Sequence, residues 1–125
     1  MSIQRAQQDI NILRGDTYTF RYQLIDVNEE TGVETPVNIT DHKINGQVRY
    51  SPDSSDVWYT FPITKPDAAK GVFQWTLNKA DSENLLPVGS FEPDTAFYDI
   101  QIEINNAVFT FMHGNFKVSR DITRV

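Results

Sequence analysis

Apolar and polar residues alternate with a period of two along most of the chain, which predicts β-strands rather than helices. The clearest run is TYTFRYQLIDV at residues 17–27, where Tyr18, Phe20, Tyr22 and Leu24 alternate with polar residues. A period of two places the two sets on opposite faces, so this run predicts a half-buried antiparallel strand. Shorter runs predict further strands at residues 33–39, 47–50, 57–64, 71–77, 96–104, 108–112 and 116–125.

Turn-forming residues separate these runs, and one segment breaks the period of two. NEETG, TDHKING, SPDSSD, KPDAAKG and HGN predict loops or turns, and NNA predicts a hairpin. NKADSENLLP predicts one short helical turn with Asp81 or Ser82 as its N-cap. Leu85 and Leu86 are expected to pack beneath this turn, and Pro87 ends it.

Seven or eight short strands with a turn every ~8–12 residues form the pattern of a β-sandwich. Pro36 and Pro62 lack a backbone N–H and confine their strands to a sheet edge or a strand end. We expect an all-β sandwich that forms one domain over residues 11–125, with residues 1–10 as a flexible arm or an edge strand. The alternating apolar positions predict the core: Tyr18, Phe20, Tyr22, Val48, Phe73, Trp75, Leu77, Ile100 and Ile102.

Composition and charge narrow the classes of function. The chain has 125 residues, which fits one domain, and its formal charge of -6 argues against a nucleic-acid binder, which needs a basic face. It contains no cysteine, so disulfides and thiolate metal sites are excluded. No apolar run approaches the ~20 residues that cross a bilayer, and residues 1–9 lack the apolar stretch of a secretory signal. We therefore expect neither a nucleic-acid nor a membrane partner.

Arg14, Gly15 and Asp16 spell the tripeptide that integrins read in adhesive proteins. A working adhesion site needs this tripeptide at the tip of a mobile loop with both charges free. Here it stands between Leu13 and an alternating strand, so we interpret it as a turn in which Gly15 supplies the bend and Asp16 hydrogen-bonds the turn.

One acidic segment has part of the spacing of a calcium loop. Asp26, Asn28 and Glu30 alternate as the first ligands of an EF-hand do. However, Gly32 comes one residue late, and Val37 stands where the bidentate acid belongs. We interpret the segment as a hairpin loop, with an irregular calcium site as the alternative.

The remaining polar residues do not form a recognised catalytic motif. His42 and His113 are far apart in predicted loops and lack a third metal ligand of known spacing. The sequence contains no Gly-rich phosphate loop, no H-E-x-x-H and no Ser-His-Asp spacing, so we expect no enzymatic activity and no cofactor. Four carboxylates lie close together in sequence, and two of them belong to the polar face of a strand: Glu92, Asp94, Asp99 and Glu103.

Two aromatic residues lie out of register with the apolar face of their strands. Trp75 alternates with Phe73 and Leu77 and is expected in the core, whereas Trp58 and Phe97 fall on the opposite register. Exposed aromatic residues on a small β-sandwich mark a protein partner more often than a small ligand. Trp58 and Phe97 are therefore predicted to form an exposed patch.

The order of the segments carries a resemblance. RGDTYTFRYQLID is followed by PVNIT, VRY, GVFQWTL, ADSENLLPVG, FYDIQIEI and GNFKVSRDITR. From Asp9 to the C-terminus this order resembles small immunoglobulin-like virion proteins of the tails and baseplates of tailed bacteriophages, in particular the N-terminal domain of the baseplate upper protein family. The resemblance implies an immunoglobulin-like antiparallel β-sandwich in which Gly15 and Asp16 open the first long strand and Gly71 starts the middle strand.

The function that this resemblance implies is assembly. The protein would be a structural virion protein, made in the bacterial cytoplasm, that joins other virion proteins in multiple copies on the tail, the baseplate or a fibre attachment site. Two alternatives stay open: a capsid decoration or head-to-tail accessory protein, and a carbohydrate-binding module that contacts the host surface. The polar termini, residues 1–9 and 119–125, are expected to lie along a neighbouring subunit as added strands.

Two loops are longer than the family pattern, and loops are where partner contacts are commonly added. These loops are NEETGVETP and SFEPDTA. The candidate partner contacts are therefore Trp58, Phe97, Glu30, Phe91 and Glu92.

Overall fold

The computed structural model describes residues 6–124 of the chain. These residues are mostly β-structure, with a single short α-helix and several sheets, as the alternation predicted. The elements are β1 (Ala6–Gln7), β2 (Ile10–Leu13), β3 (Tyr18–Gln23), β4 (Ile25–Val27), β5 (Glu34–Pro36), β6 (Lys43–Arg49), β7 (Tyr59–Thr60), β8 (Thr64–Asp67), a 3₁₀ turn (Ala68–Lys70), β9 (Val72–Leu77), α1 (Lys79–Leu85), β10 (Thr95–Ile104) and β11 (Ala107–Ser119).

The strands of the described residues form three sheets. In the large sheet, β11 pairs with β10, β10 with β6 and β6 with β7, all antiparallel, while β1 and β2 both pair with β11 in parallel. The small sheet has the order β3–β9–β8 and is antiparallel. A short hairpin of β4 and β5 forms the third sheet.

The large and small sheets share one hydrophobic core. Trp75 of the small sheet is fully buried and stacks on Phe61, with ring centroids 4.2 Å apart. The Phe61 ring in turn lies 6.1 Å from that of Phe116 in the large sheet. Six of the nine predicted core residues are buried, whereas the three from β3 are half-buried and pack against the core. The buried six are Val48, Phe73, Trp75, Leu77, Ile100 and Ile102.

The first long run divides into two strands, so the prediction of one strand over residues 17–27 was wrong. Leu24 donates its N–H to Gly71 O at 2.8 Å, but its C=O accepts from Val37 N at 3.0 Å. The backbone therefore changes partners at Leu24, and β4 continues in a separate hairpin with β5. The strand predicted at residues 33–39 shortens to β5, which ends at Pro36.

The strand predicted at residues 47–50 begins four residues earlier, inside the segment that we expected to be a loop. Ile44, Gly46 and Val48 are buried and alternate with exposed residues along β6. TDHKING predicted a loop, but Gly46 lies within β6, where its lack of a side chain is needed for packing. A Cβ at Gly46 would come under 3.0 Å from the ring of Phe61, which packs against β6 at this position.

The strand predicted at residues 57–64 is also wrong, because the chain crosses between sheets there. Phe61 donates its N–H to Gly46 O at 2.9 Å, and Ile63 N donates to Phe61 O at 2.9 Å. This tight turn around Pro62 separates β7 in the large sheet from β8 in the small sheet.

The predicted helical turn is present as α1, but its N-cap is Asn78 and not Asp81 or Ser82. The Asn78 Oδ1 accepts the Asp81 N–H at 2.8 Å. Leu85 and Leu86 are buried as predicted, and Ser82 is buried as well.

The last two predicted strands are one continuous strand. Asn105 and Asn106 adopt positive φ angles of 52° and 63° and form the tight hairpin between β10 and β11, as NNA predicted. β11 then runs through HGN, where Gly114 is paired with Tyr98, and ends at Ser119. Residues 120–124 are therefore not a strand, contrary to our prediction for residues 116–125.

The N-terminal segment is partly paired with the large sheet. Besides the β1 and β2 ladders, Gln8 donates its N–H to His113 O at 3.0 Å and accepts from the Tyr98 hydroxyl at 2.5 Å. Residues 6–10 thus lie along β11 of their own chain, and residues 1–5 of the predicted arm lie outside the described residues.

Candidate protein-interaction site

The tripeptide at residues 14–16 forms the turn between β2 and β3. Gly15 has a φ of +93°, which favours glycine, and its N–H donates to the buried Ser82 Oγ at 2.9 Å. The Asp16 N–H closes the turn on Leu13 O at 3.1 Å. Asp16 serves the turn through its backbone, because its carboxylate accepts no hydrogen bond from any described residue. The predicted role of Gly15 is confirmed, and the predicted side-chain role of Asp16 is wrong.

Arg14 is buried, with 3% of its surface exposed, and holds two distant parts of the chain together. Its Nε donates to Asp121 Oδ1 at 2.6 Å, and its Nη1 donates to Leu86 O at 2.9 Å. The hydrogen bond from Arg14 is the main reason that the pKa of Asp121 lies below its ordinary value. The guanidinium is therefore engaged inside the fold, which is incompatible with adhesion through a free Arg-Gly-Asp loop.

A groove of about 670 Å³ opens beside this ion pair. We call it the Arg14 groove; it lies between the β2–β3 turn, the segment that follows α1, and residues 120–124. Three of its apolar residues are exposed, namely Leu13 at 42%, Val88 at 63% and Ile122 at 90%. Exposed apolar side chains that border a groove are typical of a protein-binding surface.

Phe91 and Glu92 lie in the loop that precedes β10, near the same end of the molecule. Phe91 is fully exposed. The Glu92 N–H donates to Ser90 Oγ at 3.1 Å, and Arg120 donates to Glu92 O at 3.5 Å. The loop is therefore tied to the C-terminal residues that border the Arg14 groove.

Trp58 is not the exposed aromatic residue that its register suggested. Its Nε1 donates to Leu85 O at 2.8 Å, and its ring stacks on Tyr50 with centroids 4.6 Å apart. The Trp58 ring also meets Phe116 of the core in an edge-to-face arrangement, with centroids 5.7 Å apart. Trp58 thus joins the end of α1 to the large sheet, and only part of its surface is accessible.

Phe97 is 48% exposed on the solvent face of the large sheet, as its register predicted. The strand register places it between Arg49 and Asn115. It borders a shallow, mostly polar groove of about 470 Å³ that also includes Gln47 and Asp99. Partial burial raises the pKa of Asp99, and the nearby Arg49 charge opposes this shift.

Phe97 and Trp58 therefore do not form one patch. Phe97 faces solvent on the outer side of the large sheet, whereas Trp58 packs against the inner residue Phe116.

Glu30 lies at the other end of the molecule, on the exposed β4–β5 loop. This hairpin continues from β3 beyond Tyr22, and the β2–β3 turn with the Arg14 groove lies at the opposite end of that strand. Asn28 Oδ1 accepts the N–H groups of Glu30 and Thr31 at 3.0 and 3.1 Å. The Asn28 oxygen is therefore used by the turn, as in the hairpin-loop interpretation.

The remaining polar candidates are not brought together into a metal site. The described residues contain no group of three or more His, Asp and Glu side chains that could hold a metal ion. His42 is buried and neither ring nitrogen has a hydrogen-bond partner among the described residues, and burial lowers its pKa. His113 lies instead beside Asp99 in the β10–β11 ladder. Asp99 and Glu103 are four residues apart on one strand, a separation of roughly 13 Å.

The Arg14–Asp121 pair and the Arg14 groove were missed by the sequence analysis. The two residues are separated by 107 positions, and neither type is informative alone. One signal was present: Arg14 follows the alternating apolar positions of β2, which would place it on the buried face. Its membership of the Arg-Gly-Asp tripeptide masks this register.

Comparison with known proteins adds no relative from which a function could be transferred. No protein-family model matches the sequence, and no curated protein matches it. None of the helices in the described residues is long and apolar enough to cross a membrane.

Proposed function

We propose that this protein is an immunoglobulin-like β-sandwich and a non-enzymatic structural component of a tailed-bacteriophage virion. It would assemble in multiple copies on the tail, the baseplate or a fibre attachment site. The resemblance in segment order to small immunoglobulin-like tail and baseplate proteins supports the location. The strand order supports the fold, and the exposed apolar residues that border the Arg14 groove support the assembly role.

The strand order fits the immunoglobulin arrangement. In constant-type domains one sheet contains strands A, B, E and D and the other C, F and G, and variable-type domains add strands beside C. Assigning β3, β9 and β8 to B, E and D, and β6, β10 and β11 to C, F and G, reproduces this order. β7 then takes the place of the additional strand beside C.

One observation carries the assembly role: three exposed apolar side chains border one groove, the Arg14 groove. Leu13, Val88 and Ile122 border the groove, and Phe91 projects fully into solvent from the loop tied to Arg120. A chain with a formal charge of -6 stays soluble when alone, yet these side chains are available to a partner. In a rotationally symmetric virion, one modest interface repeated around a ring is reinforced by multivalency.

The test is incorporation into particles. Phe91→Asp and Ile122→Asp should leave the melting temperature unchanged, because both side chains are exposed, but should lower the amount of protein in purified virions by at least about tenfold. Val33→Asp is the matched control, since Val33 is 59% exposed on the distant β4–β5 hairpin. Normal packaging of both groove variants would refute this surface as the attachment site. Failure to find the wild-type protein in any purified particle would refute the virion role itself.

The N-terminal arm is tested by deleting residues 1–5 rather than residues 1–8. Removing residues 1–8 would also remove the carbonyl of Gln8 that accepts from the Tyr98 hydroxyl. Removing residues 1–5 leaves every described contact in place. Packaging of the shorter deletion at the wild-type level would exclude the arm as the attachment device. Recovery of the protein in separated heads rather than tails would favour the capsid decoration or head-to-tail role.

Carbohydrate binding is a second candidate, favoured by the groove beside Phe97. An aromatic ring next to amide and carboxylate side chains suits a sugar, because the ring stacks on the apolar face while Gln47 and Asp99 bond hydroxyl groups. Binding of oligosaccharides from the host surface, measured by NMR titration and abolished in Phe97→Ala, would support this function. Absence of amide shifts around Phe97 would exclude it.

A further inference from the structure

The outer edge of β3 is an open edge of the small sheet. β3 pairs only with β9 among the described residues, so its other side carries no partner strand. In the immunoglobulin arrangement strand A would occupy this position beside B. Here the N-terminal strands β1 and β2 pair with β11 instead, and no strand of residues 6–124 occupies the position beside β3.

Every other outer edge among the described sheets has a feature that discourages strand addition. β7 has two residues and β4 has three, β8 contains Pro66 and an irregular register, and β5 ends in Pro36. The edge formed by β1 and β2 is interrupted between Gln7 and Ile10. Natural proteins protect free edges by short strands, prolines and irregularities of this kind. β3 has six regular residues without proline, glycine or a bulge, so it lacks these protections.

The backbone groups that face the open edge can be identified. Leu24 N donates to Gly71 O, so alternation along the antiparallel pair directs the N–H and C=O of Tyr18, Phe20 and Tyr22 to β9. The corresponding groups of Thr19, Arg21 and Gln23 then face outward. The hydroxyls of Thr19 and Thr76 lie 3.2 Å apart, which fits the closer approach of a pair that is not hydrogen-bonded through its backbone.

Side chains on both faces of β3 define what a bound strand must contain. On the core side, Tyr18, Phe20 and Tyr22 are half-buried, whereas their β9 partners are buried. Apolar side chains on an added strand would cover these rings. On the solvent side, Arg21 is exposed and its guanidinium has no partner among the described residues.

We propose that the β3 edge binds an extended segment of a different protein, in which apolar residues alternate with polar ones and a carboxylate lies opposite Arg21. A different protein is favoured over a second copy because each copy carries a charge of -6, which opposes self-association. Strand addition supplies affinity through backbone hydrogen bonds and specificity through alternate side chains. The identity of the partner as a virion protein rests on the proposed function, whereas the acceptor edge rests on the backbone geometry alone.

The test is an NMR titration of the isotope-labelled full chain with the synthetic peptide Val-Thr-Val-Glu-Val-Thr-Val. We expect the amide signals of Thr19, Arg21 and Gln23 to shift, and exchange of these three amides with solvent to slow by more than about tenfold. Arg21→Pro should weaken peptide binding by roughly tenfold or more, because proline lacks the outward N–H. The loss of one backbone hydrogen bond to the peptide accounts for an effect of this size. The ladder to β9 should persist in this variant, because the N–H of Arg21 does not belong to it.

Arg21→Gln is the matched variant that keeps the N–H and removes the charge. Arg21→Gln should weaken binding of the glutamate peptide by about threefold. It should leave unchanged the binding of a second peptide in which threonine replaces the glutamate and the valines are kept. The proposal is overturned if the peptide shifts amides of β8 or β11 instead, or if Arg21→Gln binds both peptides like the wild type. It is also overturned if the peptide of residues 1–8 binds the β3 edge more tightly than the glutamate peptide, because a second copy would then be the occupant.

The titration contains no virion component, so its failure is distinct from failure of the packaging test. Loss of peptide binding would leave the proposed structural role in place and remove the β3 edge from it. Absence of the protein from particles would leave a positive titration in place and remove the virion as the source of the partner.

Discussion

Replacing Trp75 with alanine tests whether the two sheets really share one core. Trp75 is fully buried and stacks on Phe61 with centroids 4.2 Å apart and on Phe20 with centroids 4.5 Å apart. Its indole N–H also donates to the Tyr22 hydroxyl at 3.1 Å. The substitution therefore removes a large apolar volume, two stacked ring pairs and one hydrogen bond.

The expected loss follows from these contacts. Truncating a buried Phe or Trp to Ala costs about 3–5 kcal/mol, and aromatic pairs add about 0.5–1.5 kcal/mol each beyond the area they bury. We therefore expect Trp75→Ala to lower the free energy of unfolding by about 5 kcal/mol. Trp75→Phe keeps one ring in the stack and loses the N–H, so its cost should be about 2 kcal/mol. A typical domain has only about 5–15 kcal/mol in total, so the alanine variant is expected to be close to unfolded.

Urea denaturation followed by circular dichroism measures both variants on the full chain. Phe97→Ala is the control, because this aromatic residue is 48% exposed and packs on the outer face, and its cost should stay within about 1 kcal/mol. A loss below about 2 kcal/mol for Trp75→Ala, or equal losses for Trp75→Ala and Phe97→Ala, would refute the packing of the two sheets around this residue.

The remaining predictions concern the turn and two buried titratable groups. Asp16→Ala should change the free energy of unfolding by less than about 0.5 kcal/mol, because Asp16 contributes only its backbone to the turn. Arg14→Ala should cost about 3 kcal/mol, since it leaves the buried Leu86 carbonyl without a donor. Urea denaturation measures both variants, and equal losses would contradict the different roles given to Arg14 and Asp16. Burial lowers the pKa of His42 below 6.5, so the unfolded chain binds the proton first and stability should fall as the pH drops below about 6.5. If the slope of unfolding free energy against pH is the same in His42→Leu, His42 is not the cause. Burial raises the pKa of Tyr59 to about 12, so stability should be lost as the pH rises above about 10, where the unfolded chain ionises first. Tyr59→Phe should weaken this alkaline loss and be neutral or stabilising at pH 7, because the buried hydroxyl has no partner among the described residues; a destabilised variant at pH 7 would argue for an unseen partner.

Local patterns determined several of the strands and the buried face of those strands. The alternation around Trp75 and Ile100 predicted both strands and their inward side chains, because a period of two in side-chain direction is a property of any extended backbone. The Asn105–Asn106 hairpin was also predicted, since that turn requires positive φ angles that asparagine tolerates. The exposed position of Phe97 followed from the same alternation.

Only the tertiary structure determined which strands pair with each other. The local sequence does not show that the Leu24 carbonyl accepts the N–H of Val37, or that the chain crosses between sheets at Phe61. Both features depend on backbone groups many residues away. Gly46 was misassigned for the same reason: the Phe61 ring that requires a residue without a Cβ belongs to the crossing segment between β7 and β8.

For the candidate site too, the sequence predicted the local turn and the tertiary structure decided the long-range contacts. Sequence alone placed Gly15 in a turn, because the residues on both sides were extended and glycine favours a bend. Only the folded chain brings Asp121 to the buried Arg14 across 107 residues and forms the Arg14 groove beside the pair. The vacant β3 edge is likewise a tertiary property, because alternation identifies β3 as a strand, while the absence of a neighbour among the described residues depends on β1 and β2 having paired with β11.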